Sequence, residues 1–297
     1  MGKVIRIGSR DSKLAVWQAE YVKHMIEQAH PEIQVEIITM KTTGDKILDR
    51  SLDKVGGKGL FVKELDLALL EKRTDLSVHS LKDMPMEVPE DLPILAYTKR
   101  EDPRDAMIFG KGCAEGVPKT IGSSSPRRRV QLEKLFPESE FTGIRGNVQT
   151  RIKKLNEGLC DATVLAMAGL KRLDMTGVVG RIFETEEMIP AAGQGILGVQ
   201  GRKGEEYDYL NCLRDSDSEA AALAERGFVK ALEGGCSSPI AAFAKVSEGK
   251  LFLRGLYYNE AAGDYITGEK GGDVSEAERL GILLAEELKE QFRLRKK

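Results

Sequence analysis

Short apolar runs alternate with longer amphipathic ones, and this order constrains the fold most. Residues 4–7 read as a strand that ends in Gly8-Ser9-Arg10-Asp11-Ser12. A helix follows, with Leu14, Trp17, Tyr21 and Met25 on one apolar face. Residues 33–40 form a second strand. The glycine-rich run Val55-Gly56-Gly57-Lys58-Gly59-Leu60-Phe61 then leads into a helix whose buried stripe is Phe61, Leu65, Ala68 and Leu69. Residues 76–79 make a third strand, closing in Ser80-Leu81-Lys82-Asp83-Met84-Pro85. Strand, loop and helix in this order dictate an α/β architecture.

A charged, proline-containing segment, residues 98–105, lies between two apolar blocks and reads as a hinge. The alternation then restarts. Residues 120–122 are a strand, Ser125 is placed to cap a helix, and Pro126 takes its first position. Arg127, Arg128 and Arg129 fill the first turn, where cations oppose the helix dipole. That placement calls for an anionic partner. Residues 140–144 are strand-like, and Arg145-Gly146-Asn147 opens a helix carrying Arg151, Ile152 and Leu155. Another strand covers 161–165, followed by Ala168-Gly169-Leu170-Lys171-Arg172. Residues 189–195 read as a second crossing, before a strand at 196–199. From 217 the order changes to a helix, three strands (240–246, 251–258, 265–269) and a closing helix (274–288), an α+β module.

The first helix of that module, residues 217–232, runs into Glu233-Gly234-Gly235-Cys236-Ser237-Ser238-Pro239. Gly234 and Gly235 suit the left-handed backbone that ends a helix. Cys236 is thereby set on a tight loop among small neighbours. Read alone, it is either a small buried thiol or a nucleophile whose pKa a nearby cation lowers. The four cysteines form no CxxC pair and suit neither a zinc site nor a disulfide scaffold. The N-terminus lacks the apolar core of a signal peptide, and no apolar run is long enough to span a bilayer. A reducing cytoplasm is the expected setting, without a membrane partner.

Basic residues recur where strands meet helices: Arg10, Lys54, Lys58, Lys82, Arg127, Arg128, Arg145, Arg151 and Arg172. Such loops line the ligand crevice of open α/β sheets. The guanidinium fork suits carboxylate or phosphate. A set spread over successive loops implies a ligand with several negative charges. Net charge is only −2 and aromatics make up 6%, which argues against nucleic acid as that ligand. His79 reads as structural rather than metal-ligating. Asp83 reads either as a solvated turn residue or as a carboxylate that stabilises positive charge inside a cationic pocket.

Taken together, the chain resembles the porphobilinogen deaminase (hydroxymethylbilane synthase) family. The carriers are Arg10-Asp11-Ser12-Lys13-Leu14-Ala15, Val55 to Phe61, His79 to Pro85, Arg100-Glu101-Asp102-Pro103-Arg104-Asp105, Gly122-Ser123-Ser124-Ser125-Pro126-Arg127-Arg128, Ile144-Arg145-Gly146-Asn147, Ala168 to Arg172, Ala192-Gly193-Gln194-Gly195 and Glu233 to Cys236. They run in family order over nearly the whole chain. Departures are few: Ser123 stands where Thr is usual, Pro126 where a non-proline residue is common, and Ser237-Ser238 in place of Gln-Val.

The resemblance implies a transferase of haem and tetrapyrrole biosynthesis. It joins four porphobilinogen molecules head to tail with loss of ammonia, on a covalent dipyrromethane primer, and then hydrolyses off hydroxymethylbilane. Each porphobilinogen carries two carboxylates, so the growing chain needs many cations. Loss of ammonia leaves an electrophilic azafulvene whose positive charge calls for a nearby carboxylate. No metal is required. The primer would be attached through Cys236. The resemblance assigns catalysis to Asp83, Lys82, Arg10 and Arg145. It assigns cofactor contacts to Ser12, Lys58, Ser80, Asp83, Ser123, Ser124, Arg127, Arg128, Arg145, Gly146 and Gln194. Substrate carboxylates would meet Arg10, Arg145, Arg151 and Arg172. The implied fold has three domains: 1–98 with 194–214, then 99–193, then 215–297. The first two would resemble type 2 periplasmic binding proteins with paired crossover strands. The third would be α+β and carry the cofactor loop. A monomer that hands its product to uroporphyrinogen III synthase is expected.

Overall fold

A computed structural model of the protein describes residues 3–46, 62–111, 113, 117–235 and 238–295. In chain order, the first elements are β1 (Lys3–Arg10), α1 (Lys13–Ala29), β2 (Ile33–Met40), α2 (Thr43–Lys46), α3 (Lys63–Leu70), β3 (Leu76–Ser80) and β4 (Ile94–Tyr97). Next come β5 (Asp105–Phe109), β6 (Thr120–Gly122), α4 (Pro126–Leu135), β7 (Glu140–Thr142), α5 (Val148–Asn156), β8 (Ala162–Ala166), α6 (Met167–Arg172) and β9 (Arg181–Phe183). The chain ends with β10 (Leu197–Gly201), α7 (Ser216–Ala231), β11 (Ala241–Ser247), β12 (Lys250–Asn259), β13 (Asp264–Asp273) and α8 (Ala277–Leu294).

Two five-stranded sheets share one plan. The first has the order β2-β1-β3-β10-β4 and the second β7-β6-β8-β5-β9. In each, the first three strands pair in parallel, and the fourth lies antiparallel to both its neighbours. That fourth strand always follows a crossing. β5 enters the second sheet as the chain leaves β4, and β10 enters the first as the chain returns from β9. These are the paired crossover strands, and they make residues 98–105 and 189–195 the connecting segments. β8 is buried along its whole length, and β3 is buried but for Ser80. Both sit between neighbouring strands, so even the polar Ser77, His79 and Thr163 are buried there.

Chain contacts divide the molecule into two compact units, residues 1–101 with 196–219, and residues 102–195 with 220–297. The first unit is built on Ile5, Ile7, Val35, Leu76, Val78, Leu197 and Val199 of the sheet, covered by Val22 and Ile26 of α1. The buried face of α1 is Ala15, Gln18, Ala19, Val22 and Ile26 rather than the expected Leu14, Trp17, Tyr21 and Met25. Small alanines let the helix lie close to the sheet. Trp17, 40% exposed, stacks on Tyr21 at the margin.

The second unit holds both the second five-stranded sheet and the antiparallel sheet β11-β12-β13. Ile189 packs against Ala241 and Leu256, and Lys134 reaches Asp264 at 2.8 Å. Helix α8 lays Leu280, Leu284, Leu288 and Phe292 on its buried side. It meets α7 at Gly281, where a Cβ would lie 2.1 Å from the Ala224 carbonyl oxygen, so only glycine permits the approach. No helix among the described residues is long and apolar enough to cross a membrane.

Candidate active site

The first unit gathers its share of the candidate residues around one recess. Arg10 is the last residue of β1, and Ser12 caps α1 by accepting the Ala15 N–H at 3.3 Å. Ser80 ends β3, and Asp83 ends the single 3-10 turn that follows it. Arg10, Ser12, Ser80 and Asp83 all line the recess. Lys82 stands on the same turn, half-buried, but is not part of that lining. Asp83 is exposed at this site, where a carboxylate can face a developing cation. Lys58 falls outside the described residues.

Two lining residues escaped the sequence reading as site residues. Gln18 is buried on α1 and donates to the Ser80 hydroxyl at 2.8 Å, fixing its orientation. A glutamine in the middle of an otherwise apolar helix face was the available signal. His79, also buried, meets the Gln200 side-chain oxygen at 3.1 Å. Burial, reinforced by the charge of Arg10, pushes its pKa down to about 4. The imidazole beneath the recess is therefore neutral at ordinary pH.

The second unit carries the arginines. Arg127 and Arg128 lie in the first turn of α4, as expected, and Ser125 caps it by accepting the Arg128 N–H. Both guanidiniums turn inward. Arg127 and Arg128 each reach one oxygen of Asp105 at 2.8 Å. They also donate to the carbonyls of Ile189 and Val164. The anionic partner that their helix position called for thus includes a carboxylate of the chain itself. Gln194 joins the group, donating to Asp105 at 2.9 Å and to the Pro103 carbonyl at 2.6 Å. Burial alone would raise the Asp105 carboxyl, but the two guanidinium charges and their hydrogen bonds hold it well below the usual carboxylate range. Asp105 was legible only as part of a charged hinge. Its position at the head of the apolar run Ala106-Met107-Ile108 was the hint that it would be buried.

Arg172, buried at the end of α6, donates to the Gly195 carbonyl at 2.6 Å. The Arg145-Gly146-Asn147 loop is fixed from both sides. Arg151 donates to the Gly146 carbonyl at 2.8 Å and Lys154 to that of Arg145 at 3.1 Å. Gly146 has φ +118°, which favours glycine there. Ser124 donates to the Ile144 carbonyl at 3.0 Å, and Ser123 accepts from the Ser125 N–H at 3.3 Å.

Cys236 falls outside the described residues, but its loop is framed. The left-handed residue that ends α7 is Glu233, with φ +55°, and not one of the glycines. Gly234 is required for another reason: a Cβ there would lie 2.6 Å from the Ile240 side chain and 3.2 Å from the Val229 carbonyl. Beyond it, Gly235 N–H donates to the Ser238 hydroxyl at 3.0 Å, and Ser238 N–H returns to the Gly235 carbonyl at 3.1 Å. Among the described residues, no atom lies within 4 Å of where a Gly235 Cβ would project.

A dipyrromethane bears several carboxylates and two pyrrole N–H groups. Within the first unit the chemistry of the recess suits such a group: Arg10 and the hydroxyls of Ser12 and Ser80 can donate to carboxylates, and a carboxylate such as Asp83 can accept from N–H groups.

Comparison with known proteins bears on the same chemistry. Residues 5–208 match the family described as "Porphobilinogen deaminase, dipyromethane cofactor binding domain", and residues 220–290 match "Porphobilinogen deaminase, C-terminal domain". The porphobilinogen deaminase of Ruminiclostridium cellulolyticum is 54% identical over 88% of this chain and 89% of its own. That of Ruminiclostridium josui is 51% identical over 97% of this chain and 98% of its own. Among solved structures, the BenM effector binding domain with its effector benzoate is similar at a TM-score of 0.42 and 15% identity, over 71% of this chain and 88% of that one. The chain belongs to the porphobilinogen deaminase family, transferases that join porphobilinogen stepwise, head to tail, on a dipyrromethane cofactor to give hydroxymethylbilane.

Proposed function

We propose that Cys236 is the attachment point of the dipyrromethane and that Asp83 is the carboxylate serving each condensation. The observation that carries this reading is the recess in which Asp83 shares a lining with Arg10, Ser12 and Ser80. When bound, the dipyrromethane supplies the free pyrrole carbon on which the product is built. The protein's part is binding and charge. Arg10, which lines the recess with Asp83, would hold a substrate carboxylate, and Lys82 stands beside Asp83 on the same turn. As the C–N bond of porphobilinogen breaks and ammonia leaves, positive charge spreads over the substrate, and the Asp83 carboxylate stabilises it. Ser12, Lys58, Ser80, Ser123, Ser124, Arg127, Arg128, Arg145, Gly146 and Gln194 would hold the cofactor. Arg145, Arg151 and Arg172 would take the carboxylates of later substrate units. Arg127 and Arg128 already share Asp105, so a ligand carboxylate would join an existing ion cluster.

Intact mass of the pure protein, before and after porphobilinogen, tests the reading. The expected mass exceeds that of the polypeptide and rises in steps of one substrate unit less ammonia. Cys236→Ala should give a folded, inactive protein of plain polypeptide mass. Turnover in that variant with the mass excess retained would refute the assignment. The domain limits 1–98 with 194–214, 99–193 and 215–297 are proposed with it, supported by the break between the two compact units near residues 101 and 195. A cytoplasmic monomer that hands its product to uroporphyrinogen III synthase is proposed from the family resemblance. Sedimentation of the enzyme alone and with that synthase is its test.

A further inference from the structure

Glu225 has no role in the chemistry above, yet it is an ionisable side chain with no exposed surface. It lies on α7, which leads into the Cys236 loop. One carboxylate oxygen accepts the Ala244 N–H at 2.7 Å. Ala244 belongs to β11, the strand that leads out of the loop and forms one edge of its sheet. The other oxygen accepts the Gly193 N–H at 2.6 Å. Gly193 lies in the returning crossing segment, with φ +74°, a conformation that favours glycine. Its neighbours Gln194 and Gly195 are the residues that engage Asp105 and Arg172.

One carboxylate therefore joins three things: the helix entering the thiol loop, the strand leaving it, and the segment that anchors the arginine cluster. A second bond runs the same way, from Ala242 N–H to the Pro190 carbonyl at 3.3 Å. A buried carboxylate is costly unless hydrogen-bonded, and short bonds from N–H groups to an ionised oxygen are strong. A core built only for stability would more simply place an apolar residue here.

We propose that Glu225 is a positioning residue, whose carboxylate pins both stems of the thiol loop, α7 and β11, to the Gly193 crossing and so holds those stems in register with Arg127, Arg128 and Arg172. The proposal rests on Cys236 being the attachment site. Misplacement of reacting groups by a fraction of an ångström slows chemistry more than it weakens binding. An amide at position 225 would set an NH2 group against one of the two N–H donors and break that tie.

The test uses holoenzyme carrying Glu225→Gln, with Val22→Ala as a control for lost stability in the other unit. Amide hydrogen exchange should quicken at Gly193 and Ala244 in Glu225→Gln and not in the control. kcat should fall about tenfold while KM moves less than about twofold. The mass steps populated at limiting porphobilinogen should shift in proportion, whereas the control should keep the wild-type distribution. Should Glu225→Gln fail to fold, Glu225→Asp, which keeps the charge but shortens the reach, carries the same comparison. The proposal is overturned if the variant that folds matches the control in kcat and in mass distribution. A wild-type protein with no mass excess on the Cys236 peptide would instead refute the attachment reading, a separate outcome.

Discussion

Asp105→Asn is the sharpest test of the buried charge cluster. Asp105 is fully buried, its two oxygens lie 2.8 Å from two guanidiniums, and Gln194 donates to it as well. Asparagine keeps the shape but removes the charge, and its NH2 group must face an arginine N–H. Two buried cations are left without their anion. Breaking a buried pair by removing one partner costs about 3–5 kcal/mol. For a protein of this size that lowers Tm by roughly 5–8 °C. The pH dependence follows from the depressed pKa of Asp105. Its contribution is complete above the ordinary carboxylate range, about pH 4, and is lost as pH falls toward its folded-state value. The gap between wild type and variant should therefore be full at pH 7 and close in acid. Scanning calorimetry of apoprotein at several pH values measures it. A variant within about 2 °C of wild type at pH 7 would refute the argument that this carboxylate neutralises the arginines. A smaller loss in holoprotein than in apoprotein is also expected, because cofactor carboxylates would then share the two cations.

Three further outcomes are expected. Asp83→Asn should cut kcat by at least tenfold with little change in KM, since the lost interaction is made mainly in the transition state; a pure rise in KM would show that Asp83 only positions substrate. His79→Gln should flatten the acid limb of stability. The depressed His79 value means the unfolded state takes up a proton first, so wild type loses up to about 1.4 kcal/mol per pH unit between pH 6.5 and about 4, and urea midpoints that fall in parallel for both proteins would contradict this. Gly281→Ala should destabilise the second unit at the upper end of roughly 1–3 kcal/mol, because its Cβ meets backbone atoms of α7 that cannot step aside; an unchanged unfolding midpoint would show that the helices part freely.

Much of this was legible in the residues. The expected strand at 120–122 and the Ser125–Pro126 helix start are where the periodicity and caps place them. What failed did so for physical reasons. The α1 face was read from its largest apolar residues, whereas close packing selected alanines and left Trp17 at the rim. The helix before Cys236 was expected to end on a left-handed glycine. Glu233 takes that conformation, and Gly234 is needed for space. The arginines announced an anion by opposing the helix dipole, but its identity as Asp105 depends on strand order, which no local pattern encodes. Strands of three or four residues such as β9 and β4 have too little periodicity to read.

The exchanged fourth strands also bear on how the molecule is made. β4 borders the first sheet only through β10, which is specified roughly a hundred residues later. A nascent chain ending before Leu197 would hold β1, β2 and β3 with a vacant position beside β3, and β4 with no neighbour at all. The second sheet draws its own fourth strand from residues already synthesised, so it can close first. Synthesis then favours an inverted order, in which the later-encoded sheet is complete while the earlier one waits. During that wait the edge of β3 is unpaired, its backbone N–H and C=O groups open beside Leu76 and Val78, and the growing chain is most in need of a chaperone before β10 leaves the ribosome.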